Sequence, residues 1–142
     1  MSKHYASAYW EGNLPKGNGK YTLKTSGHVG SLKFTTRFED DKSASSPEEL
    51  IGAAHAACFS MAFSHALDQG GFTPEKIETE AEVTLGKNEG GFAITGILLK
   101  TRVKVSEIAD DKFNEIANGA KENCPVSKAL AGVKIELEAK KV

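Results

Sequence analysis

The stretch SSPEELIGAAHAACFSMAFSHAL, residues 45–67, constrains the fold more than any other part of the chain. Ser46 is suited to cap a helix, Pro47 fits its first position, and Glu49 can complete a capping box. The residues that follow are almost all apolar or small, and they cover the whole helix circumference. We therefore predict one long helix that ends at Gly70-Gly71 and is buried on every side.

Burial of a helix on every side requires more surface than one short chain provides. A domain of 142 residues can bury a real core, but it has few places in which to enclose a helix completely. Gly52 and the alanines of this stretch allow another helix to approach closely. Burial against a second copy of the chain would solve the problem, so the pattern favours a homodimer.

Alternation of apolar and polar residues predicts strands on both sides of the long helix. A second helix is predicted at residues 110–123 and a short one begins at Pro125. Strands that come in runs, rather than alternating with helices, indicate an α+β fold with largely antiparallel sheets. No linker or repeat interrupts residues 1–142, which we interpret as a single domain. The predicted strands are residues 4–13, 20–27, 30–40, 76–87, 91–105 and 133–142.

Charge, cysteine and histidine patterns exclude several classes of protein. The net charge of −1 predicts no binding to nucleic acid or to anionic membranes. We find no segment of roughly 18 apolar residues without charge, and no apolar signal core at the N-terminus, so neither a membrane span nor export is expected. Two cysteines cannot form a disulfide-rich scaffold. The absence of C-x-x-C and H-x-x-x-H spacings predicts no metal site.

Cys58 and Cys124 are the two candidate reactive thiols. His55 precedes Cys58 by three residues and shares its helix face, so it is either the base of a thiolate–imidazole pair or a hydrogen-bonded core histidine. Cys124 stands just before Pro125 at a predicted N-cap. There it is either a thiolate stabilised by backbone N–H groups or a small capping residue.

Glu48 and Arg37 are the candidate charged partners of these thiols. Glu49 has a capping role that explains its presence, which leaves Glu48 as the freer candidate for chemistry. Alternation places Arg37 on the polar face of the predicted strand, with Lys33 and Thr35. Arg37 therefore either faces solvent or brings a guanidinium over a thiol and stabilises the thiolate.

Five motifs together resemble the OsmC branch of the OsmC/Ohr family of organic hydroperoxide reductases. They are TTRFED, PEELIGAAHAACFSMA, GFTPEKIETEAEVTL, GFAITGI and ENCPVSKAL, and they span essentially the whole chain. The combination of the P-E-x-L…A-x-C-F block with the N-C-P-V-S block is highly specific. The Ohr branch takes its arginine from an earlier segment, but no arginine precedes Arg37 here, which supports the OsmC branch.

The resemblance implies a cytoplasmic thiol peroxidase with no metal or bound redox cofactor. It implies an intertwined homodimer with two antiparallel sheets around the long helix and two active sites at the subunit interface. Cys58 corresponds to the peroxidatic cysteine and Cys124 to the resolving cysteine. Arg37 and Glu48 correspond to the family's arginine and glutamate. A dithiol, such as a lipoylated protein, would reduce the Cys58–Cys124 disulfide.

Two other functions are compatible with the same residues. The first is an acyl hydrolase that uses Cys58 and His55, which would need no second thiol and would form no disulfide. The second is a non-catalytic stress or ligand-binding dimer with inert thiols. Only a peroxidase would lose both thiols and release an alcohol when it meets an organic hydroperoxide.

Overall fold

The computed structural model describes residues 1–142 and contains six strands and four helices. The strands form two three-stranded sheets, and one helix is much longer than the others. The predicted α+β class, with two sheets and a long central helix, is confirmed. The chain divides into two compact units, residues 1–50 and 51–142, which are described separately below.

The first unit contains an antiparallel sheet of three consecutive strands. These are β1 (Ala6–Glu11), β2 (Asn18–Leu23) and β3 (His28–Leu32), in that spatial order. All six residues of β1 are exposed, Tyr9 and Trp10 among them. The sheet therefore presents large aromatic side chains to the surroundings of the single chain.

The strand predicted at residues 30–40 is wrong beyond Leu32. β3 ends at Leu32, and Thr35–Phe38 forms the single-turn helix α1. The Thr36 hydroxyl donates to the carbonyls of Lys33, at 2.7 Å, and Ser45, at 3.0 Å. Such local side-chain bonds to the backbone compete with a strand ladder, and the alternation of residue types does not reveal them.

The long helix α2 (Pro47–Gln69) begins and ends where the sequence predicts. The Ser46 hydroxyl accepts a hydrogen bond from the Glu49 N–H at 3.1 Å, which confirms the cap. At the other end Gly71 adopts a φ of +87°, and the Phe72 N–H bonds the Leu67 carbonyl at 2.9 Å. This is a glycine-terminated Schellman-type end.

Burial of α2 on every side is not found in the single chain. One face enters the core of the second unit, where Phe59, Phe63 and Leu67 are fully buried against β5 and α3 residues. The opposite face is exposed, and Met61 retains 74% of its accessible surface. Ala53, Ala54 and Ala57 share this exposure. An apolar helix face of this kind is typical of a surface that another molecule covers.

Contrary to the prediction from the sequence, one helix has the length and composition of a membrane span. α2 is long and apolar enough to cross a membrane, since residues 50–67 include no Asp, Glu, Lys or Arg. Its packing favours a core helix instead, because Phe59, Phe63 and Leu67 belong to the hydrophobic core. The buried His55 on the same helix is hydrogen-bonded within the protein.

The second unit contains the other sheet, and here one strand pairing differs from the prediction. β4 (Lys76–Asn88) and β5 (Gly91–Lys104) form the predicted antiparallel hairpin. β6 (Lys134–Lys141) pairs with β5 in parallel, so the two sheets are not both antiparallel. A parallel pairing requires a long crossover connection. Helices α3 (Asp110–Asn123) and α4 (Pro125–Ala129) supply it.

Candidate active site

Arg37 is paired with Glu48 and does not lie on a solvated strand face. Its Nε contacts both carboxylate oxygens, at 3.2 and 3.1 Å, and its Nη2 contacts Oε1 at 2.5 Å. The Glu48 residue is only 8% exposed, whereas the Arg37 side chain is 33% exposed. The hydrogen bonds that Arg37 donates to Glu48 raise the pKa of Arg37 above its usual value. The guanidinium is thus anchored at one edge, and its Nη1 edge can serve another group.

The turn that carries Arg37 is held by its own polar side chains. The Thr35 hydroxyl donates to the Asp41 carboxylate, which also accepts the Ser43 N–H at 2.8 Å. These hydrogen bonds lower the pKa of Asp41 to about 2, so the carboxylate stays ionised at neutral pH. The position of Arg37 is therefore set from two sides, by this turn and by Glu48.

Cys58 and Cys124 are neighbours in the second unit. Both are reduced, and their sulfur atoms are 2.8 Å apart. A disulfide bond is about 2.04 Å long, so a small movement would join them. Cys58 is half-buried on α2, and Cys124 is fully buried between α3 and α4. The two thiols, 66 positions apart in sequence, are thus positioned for chemistry with each other.

The two thiols differ in which protonation state the single chain favours. Burial, and then the hydrogen bond shared with Cys124, raises the pKa of Cys58. For Cys124, burial acts to raise the pKa, but hydrogen bonds from Cys58, Ser127 and Val126 outweigh it and leave the pKa lowered. Because the two sulfurs share one hydrogen bond, the loss of the first proton is a property of the two thiols together and not of either cysteine alone. Within one chain, that loss favours a thiolate at Cys124.

Cys124 occupies the N-cap of α4, as predicted. Pro125 begins the helix and has no N–H, so the next two residues present the first backbone donors. The Val126 backbone acts to lower the pKa of both thiols, and the backbone and hydroxyl of Ser127 act to lower the pKa of Cys124. These donors favour the thiolate over the neutral thiol.

His55 is a core histidine and not the base of a Cys58–His55 pair. It is fully buried, and its Nε2 is 2.7 Å from the Ser127 hydroxyl oxygen. Burial lowers the pKa of the imidazole. A general base must be within hydrogen-bonding reach of the proton that it removes, and the hydrogen bond of His55 goes to Ser127. The hydrolase alternative therefore lacks its base.

The four candidate residues form two pairs. Arg37 and Glu48 belong to the first unit, and Cys58 and Cys124 belong to the second.

Ser127 is a site residue that the sequence analysis did not predict. Its position three residues after an N-cap cysteine could have identified it, because a side chain at that spacing in a helix lies close to the N-cap residue. No group of three or more His, Cys, Asp or Glu side chains is placed to hold a metal ion.

Known proteins are similar to this chain in sequence. A family model described as "OsmC-like protein" matches residues 39–138. Over 126 residues, 87% of this chain and 86% of the relative, the chain is 50% identical to Peroxiredoxin OsmC of Escherichia coli. It is 36% identical over 105 residues, 72% of this chain and 74% of the relative, to Organic hydroperoxide resistance protein OhrB of Bacillus subtilis.

A solved structure extends the likeness to nearly the whole fold. The crystal structure of OhrB of Bacillus subtilis has a TM-score of 0.76 and 29% identity, and the match covers 95% of this chain and 97% of that chain. The higher identity to the Escherichia coli relative agrees with the OsmC branch. From the family match, these identities and the shared fold, the chain belongs to the OsmC-like protein family.

Proposed function

We propose that this protein is a thiol peroxidase that reduces organic hydroperoxides to alcohols. The observation that carries the proposal is the contact of the Cys58 and Cys124 sulfur atoms at 2.8 Å. Two reduced thiols at that distance can exchange electrons as a dithiol and a disulfide. The 50% identity to a peroxiredoxin and the 36% identity to an organic hydroperoxide resistance protein support the same activity.

The proposed reaction has three balanced steps. The Cys58 thiolate attacks the distal peroxide oxygen, the O–O bond breaks, and the alkoxide takes a proton and leaves as an alcohol. This forms a sulfenic acid on Cys58. The Cys124 thiolate then attacks the Cys58 sulfur and displaces hydroxide, which takes a proton and leaves as water. A dithiol reductant, such as a lipoylated protein, reduces the resulting disulfide and is itself oxidised to a disulfide.

Cys58 needs a cationic neighbour to act as the peroxidatic thiol. Burial raises its pKa, and only the thiolate is nucleophilic. Arg37, anchored by Glu48, is the proposed cation that reverses this effect. The Glu48 carboxylate is almost buried, so it fixes the orientation of the Arg37 guanidinium and of the Nη1 edge that does not contact Glu48.

We propose that Arg37 and Glu48 of one subunit act on Cys58 of a second copy. Glu48 stands ten residues before Cys58 on α2, which runs uninterrupted from Pro47 to Gln69. Ten residues of helix rise about 15 Å, more than a glutamate and an arginine comfortably bridge. The exposed apolar face around Met61 independently supports a homodimer. Two active sites at the subunit interface follow from this arrangement.

The remaining features of the proposal concern substrate, partners and location. Apolar side chains around α2 would accept the alkyl part of an organic hydroperoxide, which hydrogen peroxide lacks. With a net charge of −1, we expect no nucleic-acid partner and no membrane attachment. The two units would act as one OsmC-like peroxidase domain over residues 1–142. The family resemblance supports a cytoplasmic location.

Titration of thiols before and after one equivalent of cumene hydroperoxide tests this function. We expect two thiols to disappear per chain and one equivalent of the corresponding alcohol to be released. An acyl hydrolase or an inert ligand-binding dimer would keep both thiols and release no alcohol. Retention of both thiols after full exposure to the hydroperoxide would therefore overturn the proposal.

Arg37→Ala is expected to move the pH profile of Cys58 alkylation to higher pH. Loss of a neighbouring positive charge disfavours the thiolate, so the pKa of Cys58 rises and a higher pH is needed to ionise it. The shift should be about 1–3 pH units, the usual effect of one close charge. Iodoacetamide labelling in a Cys124→Ser background, read by mass spectrometry, isolates the Cys58 thiol.

The chain offers a matched control for this experiment. Arg102 is the other arginine, and it lies exposed on β5. Arg102→Ala removes the same charge from the protein and should leave the alkylation profile in place. An equal shift in both variants, or an unchanged profile in Arg37→Ala, would remove Arg37 from the site.

A further inference from the structure

His55 is a buried histidine that the proposed reaction does not use. It has no accessible surface, and its Nε2 is 2.7 Å from the hydroxyl oxygen of Ser127. Its Nδ1 is also buried and has no hydrogen-bond partner. A buried polar side chain with one paired and one unpaired nitrogen requires an explanation.

The unpaired nitrogen indicates which tautomer is present. Burial lowers the pKa of His55, so the imidazole is neutral at pH 7 and carries one proton. A proton on Nδ1 would leave a buried N–H group without an acceptor, which proteins avoid more strictly than an unpaired acceptor. The proton is therefore assigned to Nε2, which then donates to the Ser127 oxygen.

This tautomer determines where the hydroxyl proton of Ser127 points. An oxygen that accepts from His55 keeps its own proton for another partner. Ser127 is nearly buried on α4, three residues after the N-cap Cys124, and its hydroxyl acts as a hydrogen-bond donor that lowers the pKa of the Cys124 thiol. The result is a directed chain of donors that runs from His55 through Ser127 to Cys124, with the Cys58 sulfur 2.8 Å beyond it.

We propose that His55 is a positioning residue that holds the Ser127 hydroxyl as a donor to Cys124 and thereby readies Cys124 to attack the sulfenic acid of Cys58. The inference rests on the peroxidase function proposed above. In the step concerned, the Cys124–Cys58 bond forms while the Cys58 S–O bond breaks. The departing hydroxide takes up a proton and leaves as water, so no further oxidant or reductant is needed.

The consequence can be measured as a competition for one intermediate. The Cys58 sulfenic acid either closes to the disulfide or is oxidised by a second hydroperoxide to the sulfinic acid. Slower closure gives the second hydroperoxide more time to react. The hydroperoxide concentration that converts half of the chains to the sulfinic form therefore reports the closure rate.

His55→Leu is expected to lower that half-conversion concentration about tenfold, the effect of one lost hydrogen bond to a charged sulfur. In stopped-flow experiments on the dimeric protein, disulfide closure should slow by the same factor, and consumption of the first hydroperoxide should change less than twofold. His55→Gln, whose amide can still donate to Ser127, should recover most of the closure rate. A purely structural role would slow both steps, and glutamine would not correct it selectively.

Ser127→Ala provides the matched second variant. It should slow closure as much as His55→Leu does, and the double variant should be no slower, because both changes break one chain of hydrogen bonds. If His55→Leu fails to fold, His55→Gln and Ser127→Ala still give the comparison. Wild-type closure rates in Ser127→Ala, or additive losses in the double variant, would overturn the inference. If wild-type protein consumed no thiols, the peroxidase function itself would fail instead.

Discussion

Replacing Cys58 by serine is expected to reduce hydroperoxide consumption to the level of buffer without protein. The first step needs a thiolate that attacks oxygen, and serine provides no comparable nucleophile at neutral pH. Cys124→Ser should behave differently, because Cys58 remains. In the absence of small thiols, that variant should complete one turnover and then collect a sulfinic acid at Cys58.

Mass spectrometry of peptides after hydroperoxide treatment distinguishes the two cysteines. We expect two added oxygen atoms on Cys58 in the Cys124→Ser variant and a Cys58–Cys124 disulfide in the wild type. Near-ultraviolet circular dichroism should show that both variants keep the wild-type packing, since each change replaces sulfur by oxygen. Sulfinic acid on Cys124 of the Cys58→Ser variant after a full turnover would reverse the assignment.

Within the single chain, the pKa directions of the two thiols do not by themselves favour Cys58 as the peroxidatic thiol. Hydrogen bonds lower the pKa of Cys124, while burial raises that of Cys58. These directions suit a resolving thiol that is ready to attack, but they leave the peroxidatic thiol dependent on an added positive charge. We propose that Arg37 of a second subunit supplies that charge. The peroxidatic role of Cys58 therefore requires the homodimer.

Mixing two inactive variants is expected to restore activity. Glu48→Ala and Cys58→Ser homodimers should each be nearly inactive. Random pairing after refolding an equal mixture gives about half heterodimers. If Glu48 of one subunit serves Cys58 of the other, each heterodimer has one site with both changes and one intact site. About a quarter of wild-type activity should then appear, measured as alcohol released per chain.

A mixture of Cys58→Ser and Cys124→Ser chains is the matched control. These two cysteines contact each other within one chain, so every site of their heterodimer lacks one thiol and turnover should not recover. Native mass spectrometry confirms that heterodimers are present in both mixtures. Heterodimers of Glu48→Ala and Cys58→Ser without activity would place Glu48 and Cys58 in the same site of one chain.

Local features of the fold could be predicted from the sequence alone. The cap at Ser46, the glycine end of α2, the β4–β5 hairpin and the range of α3 all depend on residues a few positions apart. Caps and turns act through hydrogen bonds within one turn of chain, so the residue types that make them are visible in order. The N-cap position of Cys124 was predicted for the same reason.

Features that depend on distant partners were predicted wrongly or left open. Alternation suggested a strand through Arg37, but hydroxyl–carbonyl bonds to Ser45 and the pairing with Glu48 made a helical turn there. The direction of β6 depends on how α3 and α4 cross the sheet, which periodicity does not encode. His55 could have been a base or a core residue, and its contact with Ser127 decided between them.

The sequence by itself identified the candidate site residues, through the family resemblance and through the scarcity of cysteine and arginine. Only the tertiary structure decided how those residues pair: Arg37 with Glu48, Cys58 with Cys124, and His55 with Ser127. The physical reason is that pKa values and hydrogen-bond directions depend on neighbours in space. Cys124 is separated from Cys58 by 66 positions, and only the folded chain brings their sulfur atoms to 2.8 Å.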